Sequence, residues 1–148
     1  MIIVSQYLHE LYRPKDLQHL IRKIRRALQY IRYDAIAFRG TSGAAVAFPL
    51  SVDLGKPLLH VRKKGCHCRE KVEGQVDAKT YVVIDDFVSS GATLREIKKQ
   101  INLVHKRYKE PLPKCVAVVL YNSNLYSGCI TKDKIHNIFG STVKIISV

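Results

Sequence analysis

The chain has 148 residues, of which 47% are hydrophobic, and this composition is typical of a globular protein with a sizeable buried core. Its formal net charge is +13, from 25 basic and 12 acidic residues, which suits polyanionic partners. No apolar run approaches the roughly 20 residues that span a bilayer, and the chain has no internal repeat. We therefore expect a cytoplasmic protein in which residues 1–148 form a single domain, without a membrane segment.

The predicted elements alternate between helices and strands. Apolar residues recur at helical spacing from Leu17 to Ile31, with basic residues between them, which predicts an amphipathic helix. A second helical stripe follows Thr93. Short apolar strands are predicted at residues 35–38, 57–64, 81–84, 115–121 and 143–148. The alternation predicts an α/β fold, with a mostly parallel central sheet flanked by helices.

The segment at residues 81–94, YVVIDDFVSSGATL, joins a strand, two acids, a small-residue loop and a helix. Backbone amides at the start of a helix attract a phosphate. Asp85 and Asp86 would repel that phosphate, but carboxylates accept hydrogen bonds from hydroxyls and coordinate magnesium. The order therefore predicts a site for a phosphorylated, hydroxyl-rich ligand. The alternative is a buried strand followed by an ordinary helix cap, with Ser89 or Ser90 as the capping residue.

This motif resembles the phosphoribosyl pyrophosphate (PRPP) signature of the type I phosphoribosyltransferases. In that family four mostly apolar residues precede two acids, and a loop of hydroxyl, glycine and small residues follows. The resemblance implies that Asp85 and Asp86 bind the ribose hydroxyls and take part in catalysis. The residues that it assigns to the 5-phosphate are Ser89, Ser90, Gly91, Ala92 and Thr93. It also implies the fold of the family, here with a small or reduced hood.

Two upstream segments fall where similar enzymes hold pyrophosphate. Residues 39–43, RGTSG, are predicted as a loop before a helix at 44–50, and the residues implied in pyrophosphate binding are Arg39, Gly40, Thr41 and Lys63. The predicted strand at 57–64 ends in basic residues, of which Lys63 and Lys64 are implied in catalysis. Residues 65–79 are polar and aperiodic, as in the loop that closes over the site in this family. A tight glycine bend and a solvated basic turn are the alternatives.

The resemblance implies a PRPP-dependent glycosyltransferase, more narrowly a pentosyltransferase of nucleotide salvage. It would transfer the phosphoribosyl group to a nitrogenous base, purine or pyrimidine, and release pyrophosphate. Magnesium is the implied cofactor, held largely through water by Asp85 and Asp86, and a homodimer is the implied assembly. Enzymes for 6-oxopurines commonly have a third acid three residues after the pair. This chain has Ser89 there, which disfavours those bases and leaves the acceptor open.

Two other classes of function stay open. Some proteins similar to this family bind PRPP or nucleotides without catalysis and act as regulators, often on nucleic acid. Others keep the fold as a structural or partner-binding domain. The basic residues are spread over helices and loops without a recognised DNA-binding motif, which favours a generally solvated basic surface over a nucleic-acid footprint. The region implied in base recognition is residues 122–126.

Cysteine and histidine residues add little to the site. Cys66, His67 and Cys68 invite a zinc interpretation, but a structural zinc site needs four ligands, and no matching pair is present elsewhere. Free thiols in a reducing compartment are favoured, with Cys115 in the core. His60 lies in a predicted strand and is expected to be structural.

Overall fold

A sheet with helices on both faces forms the centre of the structure, a computed structural model that describes residues 8–65, 70–122 and 128–148. A 3-10 turn at His9–Tyr12 precedes the first helix. The helices are α1 (Pro14–Leu28), α2 (Gly40–Leu54), α3 (Ala92–Arg107) and α4 (Gly128–Phe139). The strands are β1 (Ala35–Arg39), β2 (Leu58–Val61), β3 (Val72–Gly74), β4 (Thr80–Asp85), β5 (Lys114–Leu120) and β6 (Lys144–Ser147).

The six strands follow the order β3-β2-β1-β4-β5-β6. All neighbours are parallel except β2 and β3, which are antiparallel. The central strands are continuous apolar runs because helices cover both of their faces. In β1, for example, the first four residues are fully buried. The predicted α/β class with a mostly parallel sheet is confirmed.

Alternate strand residues enter two apolar clusters, one on each face of the sheet. Val82 and Ile84 pack with α1 and α2, whereas Tyr81 and Val83 pack with α3 and α4. His60 on β2 stacks on the ring of Phe38 at 4.5 Å, in keeping with a structural role. The buried free thiol predicted in the core, that of Cys115, lies in the cluster under α3.

The two predicted amphipathic helices are confirmed. The buried residues of α1 are Leu20, Ile21, Ile24 and Leu28, and those of α3 include Leu94, Ile97, Ile101 and Val104. Helix α1 ends at Leu28, so Ile31, predicted on the same stripe, lies beyond the helix and is partly buried. Within the described ranges, no helix combines the length and the apolar character that crossing a bilayer requires.

The aperiodic loop predicted at residues 65–79 is wrong at Val72–Gly74, which form strand β3. Strand β3 pairs with the edge of β2, and Val72 and Ala78 are buried. Gly74 makes this pairing feasible, because its φ of +106° and the closeness of the Leu58 carbonyl leave no room for a side chain. Residues 66–69, with the Cys66-His67-Cys68 sequence, lie outside the described residues, so their interpretation stays a prediction.

Two helix assignments also change. Helix α2 begins at Gly40, directly after β1, so the predicted loop at 39–43 with a helix from 44 is wrong. A φ of +75° at Gly40 turns the chain within one residue, which lets the helix start at once. Helix α4 was not predicted. Its described buried residues, Ile135 and Ile138, give only part of one apolar stripe.

The packing of α3 generates a stability test. Ile97 is 0% exposed under the sheet, so Ile97→Ala should lower the free energy of unfolding by about 2–5 kcal/mol through lost burial and a cavity. Leu103 on the same helix is 48% exposed, and Leu103→Ala should change it by no more than about 0.5 kcal/mol. Urea unfolding of both variants measures the difference. Equal losses would contradict the assignment of the buried face.

Candidate functional site

A cleft of about 210 Å³ opens at the carboxyl ends of β1 and β4. These strands are parallel neighbours, but α2 leaves β1 toward one face of the sheet and α3 leaves β4 toward the other. Such a divergence creates a crevice where open α/β sheets place ligands. The lining residues are Arg39, Ser42, Lys63, Asp85, Asp86, Phe87, Val88, Ser89, Ser90, Gly91, Ala92, Thr93 and Leu94.

The two acids occupy different environments at the end of β4. Asp85 is the last residue of the strand and only 5% exposed, whereas Asp86 is half-buried in the loop. The Asp86 amide and the Ser42 hydroxyl donate to Asp85 Oδ1, at 3.0 and 3.5 Å. The Phe87 amide donates to Asp86 Oδ1 at 2.9 Å. Two acids that follow a strand at residues 81–84 would both be exposed, but Asp85 is buried because β4 extends one residue further than the sequence predicts.

Burial changes the charge that the cleft carries. Desolvation is the largest cause that raises the pKa of Asp85 to about 8, and the neighbouring Asp86 carboxyl adds to the rise. Hydrogen bonds from the Asp86 amide and the Ser42 hydroxyl act against it. Asp85 is therefore largely protonated near neutral pH. The cleft then carries less negative charge than two ionised carboxylates would give.

The end of β5 supports the acid pair from the side. The Tyr121 amide donates to the Asp85 carbonyl at 3.2 Å, and the Asn122 amide donates to the Asp86 carbonyl at 2.9 Å. The Tyr121 hydroxyl donates to the carbonyl of Ser42 at 2.9 Å, and burial raises the pKa of this phenol. Tyr121 thus ties α2, β4 and β5 together.

The sequence placed Ser42 only within the pyrophosphate loop predicted at residues 39–43, not beside the acid pair, and it assigned no role in the site to Tyr121. The available signal for Tyr121 was an aromatic residue with a polar tip directly after a buried strand. For Ser42 it was a hydroxyl within the first turn after β1. In both cases the contact joins residues distant in sequence, 43 positions apart for Ser42 and Asp85 and 79 apart for Tyr121 and Ser42.

In the small-residue loop before α3, two carbonyl groups accept hydrogen bonds from basic side chains. Arg95 donates to the Ser90 carbonyl at 2.9 Å, and Lys134 on α4 donates to the Ser89 carbonyl. All peptide bonds that the structure describes are trans, so the amides of Ser90 and Gly91 point away from these cations. All five loop residues assigned from the sequence line the cleft.

The start of α3 differs from an ordinary capped helix. The capping residue is Gly91, with a φ of +79°, rather than Ser89 or Ser90, and this residue has no side chain to make a capping hydrogen bond. The Ser90 hydroxyl accepts a hydrogen bond from the Ala92 amide at 3.3 Å. A loop of this shape exposes successive backbone amides, an arrangement that attracts anions.

Two basic side chains face the acid pair from β1 and β2. Arg39 pairs in register with Val61, which places Lys63 just beyond the end of β2 and beside Gly40. The Lys63 side chain lies across Gly40, since a Cβ there would stand 2.6 Å from Lys63 Cε and 2.9 Å from Nζ. Within the described ranges, Arg39 Nε is buried without a hydrogen-bond partner.

The remaining predicted residues lie outside the cleft. Thr41 and Lys64 are exposed and do not line it. Thr41 belongs to the first turn of α2, because the helix begins earlier than predicted. Of residues 122–126, implied in base recognition, 123–126 lie outside the described residues. The structure therefore brings Arg39 and Lys63 into the same cleft as the acid pair and places Gly40 beside Lys63, but it leaves Thr41 and Lys64 outside.

The raised pKa of Asp85 predicts a pH-dependent stability. The pKa of this carboxyl is about 3.9 in the unfolded chain and about 8 in the folded protein. Its contribution to stability is therefore fully present below the unfolded pKa and is lost as pH rises through the folded pKa. Asp85→Asn is neutral throughout. The free energy of unfolding of the variant, relative to the wild type, should therefore rise by on the order of 2–5 kcal/mol between these pH values.

Asp34 provides a control of opposite sign. Its carboxylate accepts hydrogen bonds from the amide and hydroxyl of Thr80 and from the amide of Lys79, which lowers its pKa. This contribution is present above the unfolded pKa and is lost as pH falls. Asp34→Asn should therefore destabilise the fold at neutral pH. Urea unfolding over a pH series compares the variants, and a parallel pH profile of Asp85→Asn and wild type would contradict the account.

Comparison with known proteins gives one curated relative and many similar structures. No family model matches the chain. The transcriptional regulator GfcR of Methanocaldococcus jannaschii is 32% identical over 104 residues, which cover 64% of this chain and 46% of that protein. The chain thus spans about half the length of this relative.

The similar structures share the fold over most of this chain. Adenine phosphoribosyltransferase from Thermoanaerobacter pseudethanolicus has a TM-score of 0.63 at 20% identity and covers 93% of this chain and 82% of its own. Orotate phosphoribosyltransferase from Aeropyrum pernix has a TM-score of 0.68 at 18% identity, with 93% and 72% covered.

A third similar structure contains a ligand. It is the orotate phosphoribosyltransferase of Mycobacterium tuberculosis in complex with 5-phospho-α-D-ribosyl 1-diphosphate, at a TM-score of 0.65 and 15% identity, with 95% of this chain and 77% of that chain covered. Together these structures confirm the resemblance seen in the sequence, and the chain has the fold of the type I phosphoribosyltransferases.

Proposed function

We propose that the chain binds PRPP in the cleft between β1 and β4 and transfers its phosphoribosyl group to a nitrogenous base, with release of pyrophosphate. The observation that carries the proposal is the composition of one cleft. Basic groups on the β1 and β2 side and an amide-rich loop on the α3 side flank a pair of acids. The Mycobacterium tuberculosis neighbour, which has the same fold, was solved with this ligand.

Each part of PRPP finds matching chemistry. The 5-phosphate would accept hydrogen bonds from the amides and hydroxyls of residues 89–93, at the positive end of α3. The ribose hydroxyls would lie against Asp85 and Asp86. With one proton shared by the acid pair, the protonated carboxyl can donate a hydrogen bond to a ribose hydroxyl, and the remaining carboxyl oxygens can accept hydrogen bonds from the other hydroxyls. The pyrophosphate would lie against Arg39, the Gly40 backbone and Lys63.

The transfer reaction requires charge neutralisation and a fixed orientation of the substrates, and it needs no covalent nucleophile. Departure of pyrophosphate leaves oxocarbenium character on the ribose, so the protein must neutralise the leaving group and fix the ribose against the base. Arg39 suits the first task, because its buried Nε lacks a partner in the described structure and an incoming phosphate oxygen would provide one. The acid pair suits the second.

The cleft also fits magnesium. Carboxylate oxygens are the ligands that magnesium prefers, and it usually keeps waters and binds substrate phosphates. The described residues contain no group of three or more His, Cys, Asp or Glu that would hold a metal alone. Asp85 and Asp86 would therefore hold magnesium through water. When bound, the ion would neutralise charge on the pyrophosphate.

The acceptor base is constrained only in part. Ser89 lines the cleft at the position where enzymes for 6-oxopurines carry a third acid, and among the described residues the cleft lining contains no acid besides Asp85 and Asp86. This supports a base other than a 6-oxopurine. We also propose that the chain acts in the cytoplasm as a homodimer, which light scattering after size-exclusion chromatography tests directly.

A second candidate function is a regulatory domain that binds PRPP or a nucleotide without transfer. It is favoured by the match to a transcriptional regulator at 32% identity over 104 residues. Both functions use the same cleft. They differ in whether bound PRPP loses its pyrophosphate, and a measurement of pyrophosphate release distinguishes them.

The binding test compares two adjacent lysines. Both are exposed, but Lys63 lines the cleft and crosses Gly40, whereas Lys64 lies outside it. Lys63→Ala should weaken PRPP binding by about tenfold or more, because a hydrogen bond to a charged group contributes about 1.5–3 kcal/mol, and Lys64→Ala should change it by less than about threefold. Calorimetry with PRPP and magnesium measures both. Absence of binding to the wild type at millimolar PRPP would overturn the proposal.

The catalytic test removes charge from the acid pair. Asp85→Asn together with Asp86→Asn should abolish pyrophosphate release in a screen over common bases, while the melting temperature stays the same or rises, because Asn keeps the shape and relieves the buried carboxyl. A large fall in melting temperature would favour a purely structural role for the pair. PRPP binding by the wild type without release from any base would favour the regulatory function.

A further inference from the structure

The exposed face of α1 carries a continuous basic stripe. Its members recur at i, i+4, i+7 and i+11, the spacing that places side chains on one face of a helix. They are Lys15, His19, Arg22 and Arg26, and all four are exposed. Lys23 and Arg25 flank the stripe. The opposite face of α1 is buried against the sheet, so the basic stripe points to solvent.

This positive charge is not neutralised within the described structure. Arg25 forms the one ion pair that a basic residue of α1 makes there, with Asp53 at 3.5 Å. Asp16 is the sole acid of the helix. Each of the other five members of this basic face, the four stripe residues and Lys23, lacks an ion-pair partner in the described ranges.

On helix α3, by comparison, several basic residues make hydrogen bonds or ion pairs within the protein. Arg95 donates to the Ser90 carbonyl, Lys98 to the Ile138 carbonyl, and Arg107 pairs with Glu70 at 2.8 Å. These contacts explain three of the basic residues on α3, Arg95, Lys98 and Arg107, through the fold itself. Apart from the Arg25–Asp53 pair, no such contact engages the basic residues of α1 in the described ranges, and the unpaired ones share one face, which distinguishes this helix from a generally solvated basic surface.

We propose that the exposed face of α1 binds the phosphate backbone of a nucleic-acid duplex, independently of base sequence. The stripe extends over the 12 residues from Lys15 to Arg26, or about 16 Å along the helix axis. That length matches about five phosphates of one strand, which are spaced at about 3.4 Å along the duplex axis. Tyr12 and Tyr30, 55% and 87% exposed near the two ends of α1, add hydroxyl groups of the kind that donate to phosphates.

The burial of α1 argues against a membrane surface as the partner. Basic amphipathic helices bind membranes by inserting their apolar face between lipids. The apolar face of α1 is already buried, with Leu20, Ile24 and Leu28 at 3%, 0% and 3% exposure. Only the phosphate-directed charge remains available, and a duplex presents phosphates at a regular spacing that a rigid helix matches.

This inference goes beyond the proposed function and does not depend on it. The α1 face contributes no residue to the lining of the PRPP cleft. Duplex binding and PRPP binding therefore succeed or fail separately, and calorimetry with PRPP on the same variants reports the second.

The test removes equal charge from two surfaces of the full chain. The α1 variant carries Arg22→Gln, Lys23→Gln and Arg26→Gln. The control carries Lys99→Gln and Lys106→Gln on α3 and Lys132→Gln on α4, all of them exposed and outside the cleft. Fluorescence anisotropy with a random 20-base-pair DNA duplex, over a series of salt concentrations, gives the affinity and its salt dependence. Circular dichroism confirms that both variants fold.

The α1 variant should bind the duplex about tenfold or more weakly than the wild type at 100 mM salt, and its plot of log affinity against log salt should be shallower by about 2 to 3. The control should stay within about threefold of the wild type. Equal weakening of both variants would overturn the proposal, because net charge alone would explain it. So would absence of duplex binding by the wild type, or wild-type binding to phosphatidylserine vesicles but not to the duplex.

Discussion

Strands β1 and β4 run side by side, yet the helices that follow them pack on opposite faces of the sheet. Every polar group of the cleft depends on this divergence. Gly43 shows how tightly it is built, since a Cβ there would stand 3.0 Å from the Cβ of Phe38 and 3.2 Å from the Ile84 carbonyl oxygen. The first turn of α2 therefore packs directly against the end of β4. This contact brings the Ser42 hydroxyl to Asp85.

The same packing buries a carboxyl group, and that burial opposes stability. A protein selected only for stability would place an apolar residue or an amide at position 85, because a desolvated acid gains little from its two hydrogen bonds. Buried titratable groups with shifted pKa values cluster at functional sites. Asp85, held by Ser42 and the backbone of Tyr121, is such a group. Its position fits the proposed ligand chemistry better than it fits packing alone.

The sequence predicts the central fold because its strongest patterns are local. The apolar run at residues 81–84, rich in β-branched residues, is typical of a covered strand, and the stripe from Leu94 to Val104 has the period of one helix face. Strand β3 was not predicted because its three residues, with one buried side chain, Val72, show no hydrophobic periodicity. The burial of Asp85 was not predicted for another reason. It depends on Ser42 and Tyr121, which reach the acid pair only after the sheet has formed.

Some polar groups of the cleft have partners within the fold, and others have none among the described residues. Arg95 and Lys134 are accounted for by the loop carbonyls that they hold. Arg39 Nε and the amides of Ser90 and Gly91 have no such partner in the described structure. Polar groups left unsatisfied around one cleft indicate that a polar ligand completes them. Their placement on both sides of the acids favours a ligand with anionic groups at both ends of a hydroxyl-bearing centre.

Nuclear magnetic resonance of the 15N-labelled chain, titrated with PRPP and magnesium, tests this account most directly. Binding at both ends of the acid pair predicts that the amide signals of Gly40, Ser90, Gly91 and Ala92 shift together, with one apparent affinity. Shifts confined to other parts of the chain, or unchanged signals for these amides at millimolar PRPP, would contradict it.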